Sequence, residues 1–195
     1  MAHEGAGGVS TLSSRDIEAA MRRRAGDGNL LTLRMDIINK CNLHCVMCHY
    51  SDPAVSRRRA VSITADDFDT WFRSIGPAVS EIMLSCGDEP LMSPHFIEIL
   101  RVAAQYSDQL DIGLCTNATL MTSKVRSALL KHGVTFILFS IDGVKKATVE
   151  RIRVGSKFEK IVGNIKALKA LKEEAGTTLP RFTIDFVMMR SNLEE

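Results

Sequence analysis

TFILFSID (residues 135–142), then SKFEKIVGNIKALKALKEEAG (156–176), then RFTIDFVMM (181–189) read as strand, helix, strand. The outer segments are short, apolar and rich in β-branched and aromatic residues, as strands are. The middle segment carries Phe158, Ile161, Ile165, Leu168 and Leu171 at helical spacing. Ser156 and Glu159 stand at capping-box spacing before it, and Gly176 closes it. A helix between two strands is the connection that parallel strands require.

The same alternation runs outward toward the N-terminus. LLTLRMDII (30–38), EIMLS (81–85) and LDIGLC (110–115) read as further strands. Between them, TADDFDTWFRSIG opens on Thr64 with Asp67 three residues later and spaces Phe68, Trp71, Phe72 and Ile75 along one face. SPHFIEILRVAAQY opens on Ser93, with Pro94 expected at the first helical position. TSKVRSALLKHG ends at Gly133. Five strands alternating with helices predict an α/β fold with a parallel sheet, wound as a barrel or doubly wound. SNLEE (191–195) has Ser191 and Glu194 at capping-box spacing, so a fifth helix is expected to begin there, and the chain reads as cut at its C-terminus. Residues 1–29 are rich in Gly and Ser and read as a flexible leader, with a short helical possibility at 16–24. Residues 30–195 read as one domain.

Composition sets limits on function. The 195 residues are 45% apolar and 25% charged, with a net charge of +2. Bulk charge therefore points neither to nucleic acid nor to a membrane surface. The runs Arg22–Arg24 and Arg57–Arg59 read as solvated faces. No stretch approaches the roughly 18 apolar residues of a membrane span. The N-terminus lacks the apolar core of a secretory signal. The expected setting is a reducing cytoplasm, where clustered cysteines mean metal or redox chemistry more often than disulfides.

The unusual polar residues follow the strands. CNLHCVMC (41–48) follows the first, CGDEPL (86–91) the second and TNATL (116–120) the third, while Ser140 and Asp142 end the fourth. Functional groups of parallel sheets gather at the carboxyl ends of strands, so these clusters are expected on one rim. Cys41, Cys45 and Cys48 on one loop are soft ligands, suited to zinc, copper(I) or an iron–sulfur cluster. A structural zinc would need a fourth ligand, from His44 or His49, giving a Cys3His module. Cys86 and Cys115 read as buried small side chains, and Asp36 and Asp185 as polar strand residues with either a structural or a substrate role.

C-x3-C-x2-C directly after a first strand resembles the radical S-adenosylmethionine (SAM) superfamily, and CNLHCVMC is close to its commonest wording. The resemblance implies a partial (β/α) barrel with a sixth unit missing. It also implies that Cys41, Cys45 and Cys48 hold three irons of a 4Fe-4S cluster, with SAM on the fourth. GDEP resembles the GGEP loop that meets the SAM amino group, which makes Gly87, Asp88, Glu89 and Pro90 cofactor-site candidates. Asp88 departs from that pattern, since the family usually has Gly there, and a side chain at that position demands negative φ or some strain. TNA resembles TNG, with Ala118 for Gly and Asn117 a site candidate. Ser140 and Asp142 match an S-x-D segment near the ribose and carboxylate of SAM. ERIRVGSKFEKIVGNIKAL resembles the stretch that follows, and Arg153 is the candidate partner of the SAM carboxylate. FVMMRSNLEE resembles members that often carry a C-terminal SPASM-type domain, with Val187 beside the adenine. Val46 and Met47 are expected to shield the cluster.

The implied reaction is reductive cleavage of SAM to a 5′-deoxyadenosyl radical that takes hydrogen from a substrate. A flavodoxin- or ferredoxin-type donor supplies the electron. The SPASM-like ending suggests a peptide or protein substrate. A chain that stops at residue 195 is also compatible with a fragment that holds the cluster without turnover.

Overall fold

The computed structural model describes residues 31–195 except Ser107 and Gln109. The expected leader at 1–29 lies outside the described residues. Five strands, β1 (Leu31–Arg34), β2 (Val79–Met83), β3 (Asp111–Thr116), β4 (Phe136–Ser140) and β5 (Arg181–Asp185), form one sheet. All four pairings are parallel, and the spatial order is β1-β2-β3-β4-β5. Each crossover therefore steps in the same direction. With right-handed connections, that places every crossover on one face of the sheet, the winding of a barrel wall rather than of a doubly wound sheet.

The connections carry α1 (Pro53–Ser56), α2 (Ala65–Ile75), α3 (Phe96–Ala103), α4 (Ser123–Lys131), α5 (Lys146–Ile152) and α6 (Phe158–Glu174). α2 starts where the sequence places it: Thr64 Oγ1 accepts from Asp67 N at 3.1 Å and donates to Asp67 Oδ2 at 2.7 Å. Its apolar stripe buries Phe68, Phe72 and Ile75. The two phenylalanine rings stack at 5.1 Å, and Tyr106 meets Phe72 edge-on at 5.1 Å. Each such side chain contributes roughly 1.5–3 kcal/mol by leaving water. Trp71, expected on the same face, is 39% exposed because it sits at the margin of the stripe.

Three expected helix starts differ. α3 begins at Phe96 with His95 as its cap, two residues beyond Pro94; Ser93 Oγ instead accepts from His95 N, closing a local turn. The Ser156/Glu159 capping box does not form. Lys157 is the cap residue of α6, and Glu150 of α5 accepts from Phe158 N at 3.0 Å, so a neighbouring helix satisfies the exposed amide. Residues 190–194 form turns rather than a helix. There Asn192 is buried and donates to Asp142 O and Val187 O, both at 3.0 Å, while Glu195 accepts from Val144 N, Lys145 N and Thr148 Oγ1. β1 is also shorter than its apolar run: after Arg34 one further bond, Met35 N to Met83 O at 3.0 Å, joins it to β2, and Ile38 makes an isolated antiparallel bridge to Ser62.

The two faces of the sheet differ in filling. Ile112, Leu114, Ile137 and Phe139 are fully buried beneath the helices. Gly113, Cys115, Phe136 and Ser140 occupy the alternate positions and face the concave side. Gly113 lies directly opposite Phe136, and a Cβ there would come within 2.1 Å of the Phe136 ring. Gly113→Ala is therefore expected to destabilise the domain by about 1–3 kcal/mol through overpacking. A urea midpoint checks this, and adding Phe136→Leu should recover part of the loss.

Candidate functional site

All four polar clusters reach the same rim because β1 to β4 are parallel. A cavity of about 400 Å³ opens there. Its lining takes Cys41, Cys45 and Cys48 from the first loop, Gly87, Asp88 and Glu89 from the second, and Asn117 after β3. Ser140, Arg153 and Val187 complete the far wall. Of the predicted site residues, Pro90 and Asp142 alone do not line it. Both are buried behind the wall.

The cysteine loop is anchored from below. His44 N donates to Val154 O and Val46 N to Ile152 O, each at 2.9 Å, so the loop rests on the C-terminal end of α5. Gly155 follows at φ +95°, a left-handed conformation that favours glycine, in ordinary van der Waals reach of Leu43. Asn42 Nδ2 donates to Thr119 Oγ1 at 2.9 Å, and Asn117 Nδ2 donates to Asn42 Oδ1 at 3.1 Å. These bonds tie the loop to the segment after β3. That segment turns at Ala118, a fully buried alanine at φ +58°. The left-handed conformation costs a non-glycine residue about 1–2 kcal/mol. It is held by Thr116 Oγ1, which accepts from Ala118 N, and by Asn164 of α6, which donates to Ala118 O at 2.7 Å. The strain thus falls at Ala118. Asp88, the other departure from the glycine pattern, keeps negative φ.

The second loop is gripped by two acids. Asp36 Oδ1 accepts from the backbone amides of Cys86, Gly87 and Asp88 at 2.7, 3.0 and 3.1 Å. Glu89 is buried and accepts from Thr116 Oγ1 at 2.7 Å, Asn117 N at 2.8 Å and Leu91 N at 3.2 Å. Its own N–H donates to Lys40 O at 2.9 Å, next to Cys41. Asp88 accepts from the hydroxyl of buried Tyr50, which clasps the second loop to the end of the first. Asp36 and Tyr50 were not legible as loop braces, because only the fold brings them to GDEP.

On the far wall Arg153 is almost wholly buried. Its Nε lies 2.8 Å from Asp142 Oδ2, and its Nη1 lies 3.9 Å from Cys45 Sγ. Asp142 Oδ1 accepts from Val187 N at 2.8 Å. Asp142 therefore sets the position of two lining residues from behind. On the concave face of β3, Cys115 Sγ is 3.1 Å from Ser140 Oγ and 3.8 Å from Asp185 Oδ2. Cys115 is half-buried, and Cys86 is exposed at the cavity mouth, so neither is the closed core thiol expected. Met47 lines the cavity, whereas Val46 is 55% exposed and points away from a shielding role.

Burial pushes the Cys41 thiol up to about 11, opposed by the Leu43 amide, and burial raises Cys45 against the pull of Arg153. Thiols so placed need a compensating metal charge to ionise. Asn117 Nδ2 at 3.9 Å from Cys41 Sγ and Arg153 beside Cys45 are the N–H groups that would face thiolate sulfur. Among the described residues no three His, Cys, Asp or Glu side chains converge on a single-ion position. His44 is not in the lining; its Nδ1 lies 3.0 Å from Tyr50 O. Three separate soft donors around one cavity fit a polynuclear cluster, with one thiolate per iron.

The model of the radical SAM superfamily matches residues 35–188. The chain belongs to the radical SAM superfamily. It is 27% identical over 175 residues to the tungsten-containing aldehyde ferredoxin oxidoreductase cofactor-modifying protein of Pyrococcus furiosus, covering 84% of this chain and 45% of that protein. It is 30% identical over 156 residues to the AdoMet-dependent heme synthase of Methanosarcina barkeri, covering 80% and 42%. The chain thus spans less than half the length of these relatives. Among solved structures, Streptococcus suis SuiB bound to S-adenosylmethionine superposes with a TM-score of 0.68 at 16% identity, covering 95% of this chain and 43% of SuiB. SuiB bound to its precursor peptide SuiA gives the same TM-score. The radical SAM barrel fold is thereby shared. No helix among the described residues is long and apolar enough to cross a membrane.

One consequence concerns pH. Burial raises Glu89 from the ordinary 4.5 to about 7, against the hydrogen bonds that favour its charge. The folded state then holds a proton that the unfolded state releases, so stability is full below about 4.5 and falls as pH rises toward 7. The expected loss is on the order of 3 kcal/mol. Urea midpoints of SAM-free protein at pH 5 and pH 7.5 should show it, and Glu89→Gln should flatten the slope.

Proposed function

We propose that this chain is the SAM- and cluster-binding core of an enzyme that cleaves SAM reductively and uses the radical on a peptide or protein substrate. The observation that carries the reading is the meeting of Cys41, Cys45 and Cys48 with the GDEP loop and Arg153 around one cavity. When bound, a 4Fe-4S cluster and SAM supply one-electron cleavage of a sulfonium S–C bond and a 5′-deoxyadenosyl radical that takes hydrogen from the substrate.

In this reading the three thiolates hold three irons. Gly87 and Asp88 present backbone groups to the SAM ammonium, and Asp36 and Glu89 hold that backbone in place. Pro90, itself buried, opens the 3-10 turn by which the loop exits. Arg153 offers guanidinium N–H groups to the SAM carboxylate while Asp142 neutralises and orients it. Ser140 and Asn117 supply polar contacts for the ribose and carboxylate end, and Val187 an apolar surface for the adenine. Leu43 and Met47 help keep water from the cavity. The electron comes from a flavodoxin- or ferredoxin-type donor. The peptide assignment is supported by the fold shared with SuiB, which is known bound to a precursor peptide, and by the likeness of residues 186–195 to SPASM-type members.

Anaerobic reconstitution with iron and sulfide tests the reading. About four irons per chain are expected, with a reduced EPR signal that changes shape on adding SAM. Cys45→Ala should lose most of the iron and the signal. A Cys45→Ala protein that keeps its full iron and the SAM response overturns the ligand assignment. Zinc in place of iron in the parent overturns the function.

A further inference from the structure

The triplet Arg57–Arg59 lies just beyond the cysteine loop, and all three residues are exposed. Among the described residues, the ion pairs of the protein involve none of the three. The chain as a whole carries only +2, so this is a local concentration of uncompensated charge. It is also held in place. Hydrogen-bonded turns run on from the cysteine loop: Ser51 N to Cys48 O, Asp52 N to His49 O, Arg57 N to Pro53 O and Arg58 N to Val55 O, at 2.9–3.1 Å. The other side is fastened to the residues that precede Cys41. Lys40 Nζ donates to Ser56 O at 2.7 Å, Asn39 Nδ2 donates to Arg59 O at 3.2 Å, and Asn39 and Val61 exchange bonds of 3.0 and 2.7 Å. The arginines are thus stapled to both flanks of the loop that carries the three thiols.

Exposed apolar side chains flank this segment along the chain: Val46 at 55% and Met47 at 38% on the cysteine loop, and Val61 at 62% after the arginines. Apolar residues with charges around them have the make-up of a protein interface. Between Ser51 and Val61 there is no aromatic residue on which a nucleic-acid base would stack.

We propose that the Arg57–Arg59 loop, with Val46, Met47 and Val61, is the docking surface for an acidic one-electron carrier protein. The inference rests on the cluster reading given above. In the step it serves, one electron leaves the reduced carrier and enters the cluster, and no atom is transferred. The positive charge steers an acidic partner onto the segment tethered to Asn39, Lys40 and Cys48, at the two ends of the cysteine loop. Such an encounter is brief, small in area and strongly dependent on salt.

The test uses cluster-loaded protein, a bacterial flavodoxin as probe, and the variant Arg57→Ser/Arg58→Ser/Arg59→Ser. Two readouts are taken: the Kd of oxidised flavodoxin, and the rate at which reduced flavodoxin bleaches the cluster absorbance. For the parent, raising the salt from about 0.02 M to about 0.3 M should weaken binding tenfold or more. At low salt the variant should bind flavodoxin about tenfold more weakly, bleach correspondingly more slowly, and show a flattened salt dependence. Reduction by dithionite and the SAM-dependent EPR change should be equal in the two proteins. Unchanged flavodoxin affinity overturns the docking surface, as does an equal slowing with dithionite. So does loss of transfer-RNA binding in the variant with flavodoxin affinity intact, which would make the patch a nucleic-acid surface. In each of these cases a SAM-sensitive EPR signal in the dithionite-reduced parent leaves the cluster reading standing. A parent without that signal removes the cluster reading and the docking surface together.

Discussion

Parallel pairing in unbroken order is the constraint from which the rest follows. When each strand is laid beside its predecessor in the same direction, every strand must finish on the same rim. Loops far apart in sequence are then forced together. Cys41 and Arg153 are separated by most of the domain, yet both face one cavity. The helices, all wound to one side, bury Ile112, Leu114, Ile137 and Phe139 and leave the concave face free for polar groups. The energy of that hydrophobic layer is what allows the rim to carry features that are unfavourable on their own.

Those unfavourable features are specific. Ala118 is held in a left-handed conformation, Glu89 is an acid without water around it, and Arg153 and Asp142 form a buried ion pair. Removing one partner of such a pair leaves a stranded charge in the interior. Each feature positions a lining group. Ala118 turns the chain so that Asn117 faces Cys41. Glu89 joins the second loop to the end of β3. Asp142 fixes both Arg153 and Val187. Under the proposed function these costs share one purpose, a rigid wall around the bound cofactors.

Much of the site was legible before the fold was known, because its signals are local. C-x3-C-x2-C, GDEP and the residues after β3 and β4 are short motifs whose chemistry is set by residue type and spacing. Asp142 was legible as a site residue but not as a wall support, since its distance from the cavity depends on how β4 meets α5. Helix starts were read well where the cap is intrinsic, as at Thr64. They were misread where the cap comes from elsewhere, as when Glu150 replaces Ser156 at the head of α6. At Asn192 capping-box spacing predicts a helix start and the structure has a turn, because that spacing says nothing about the long-range bonds to Asp142 and Val187.

The sequence by itself determined the strand and helix alternation and the clustering of three soft thiol donors, and its motifs resemble those of the radical SAM superfamily. The first two rest on periodicity and spacing and the third on motif likeness, all of them carried by neighbours along the chain. Only the tertiary structure decided that Asp36 grips the GDEP backbone, that Tyr50 clasps Asp88, and that the backbone around the arginine triplet is tied to Asn39 and Lys40. Those contacts join residues that the chain does not place side by side. Their partners are chosen by the register of the sheet and the path of its loops, which no local pattern encodes.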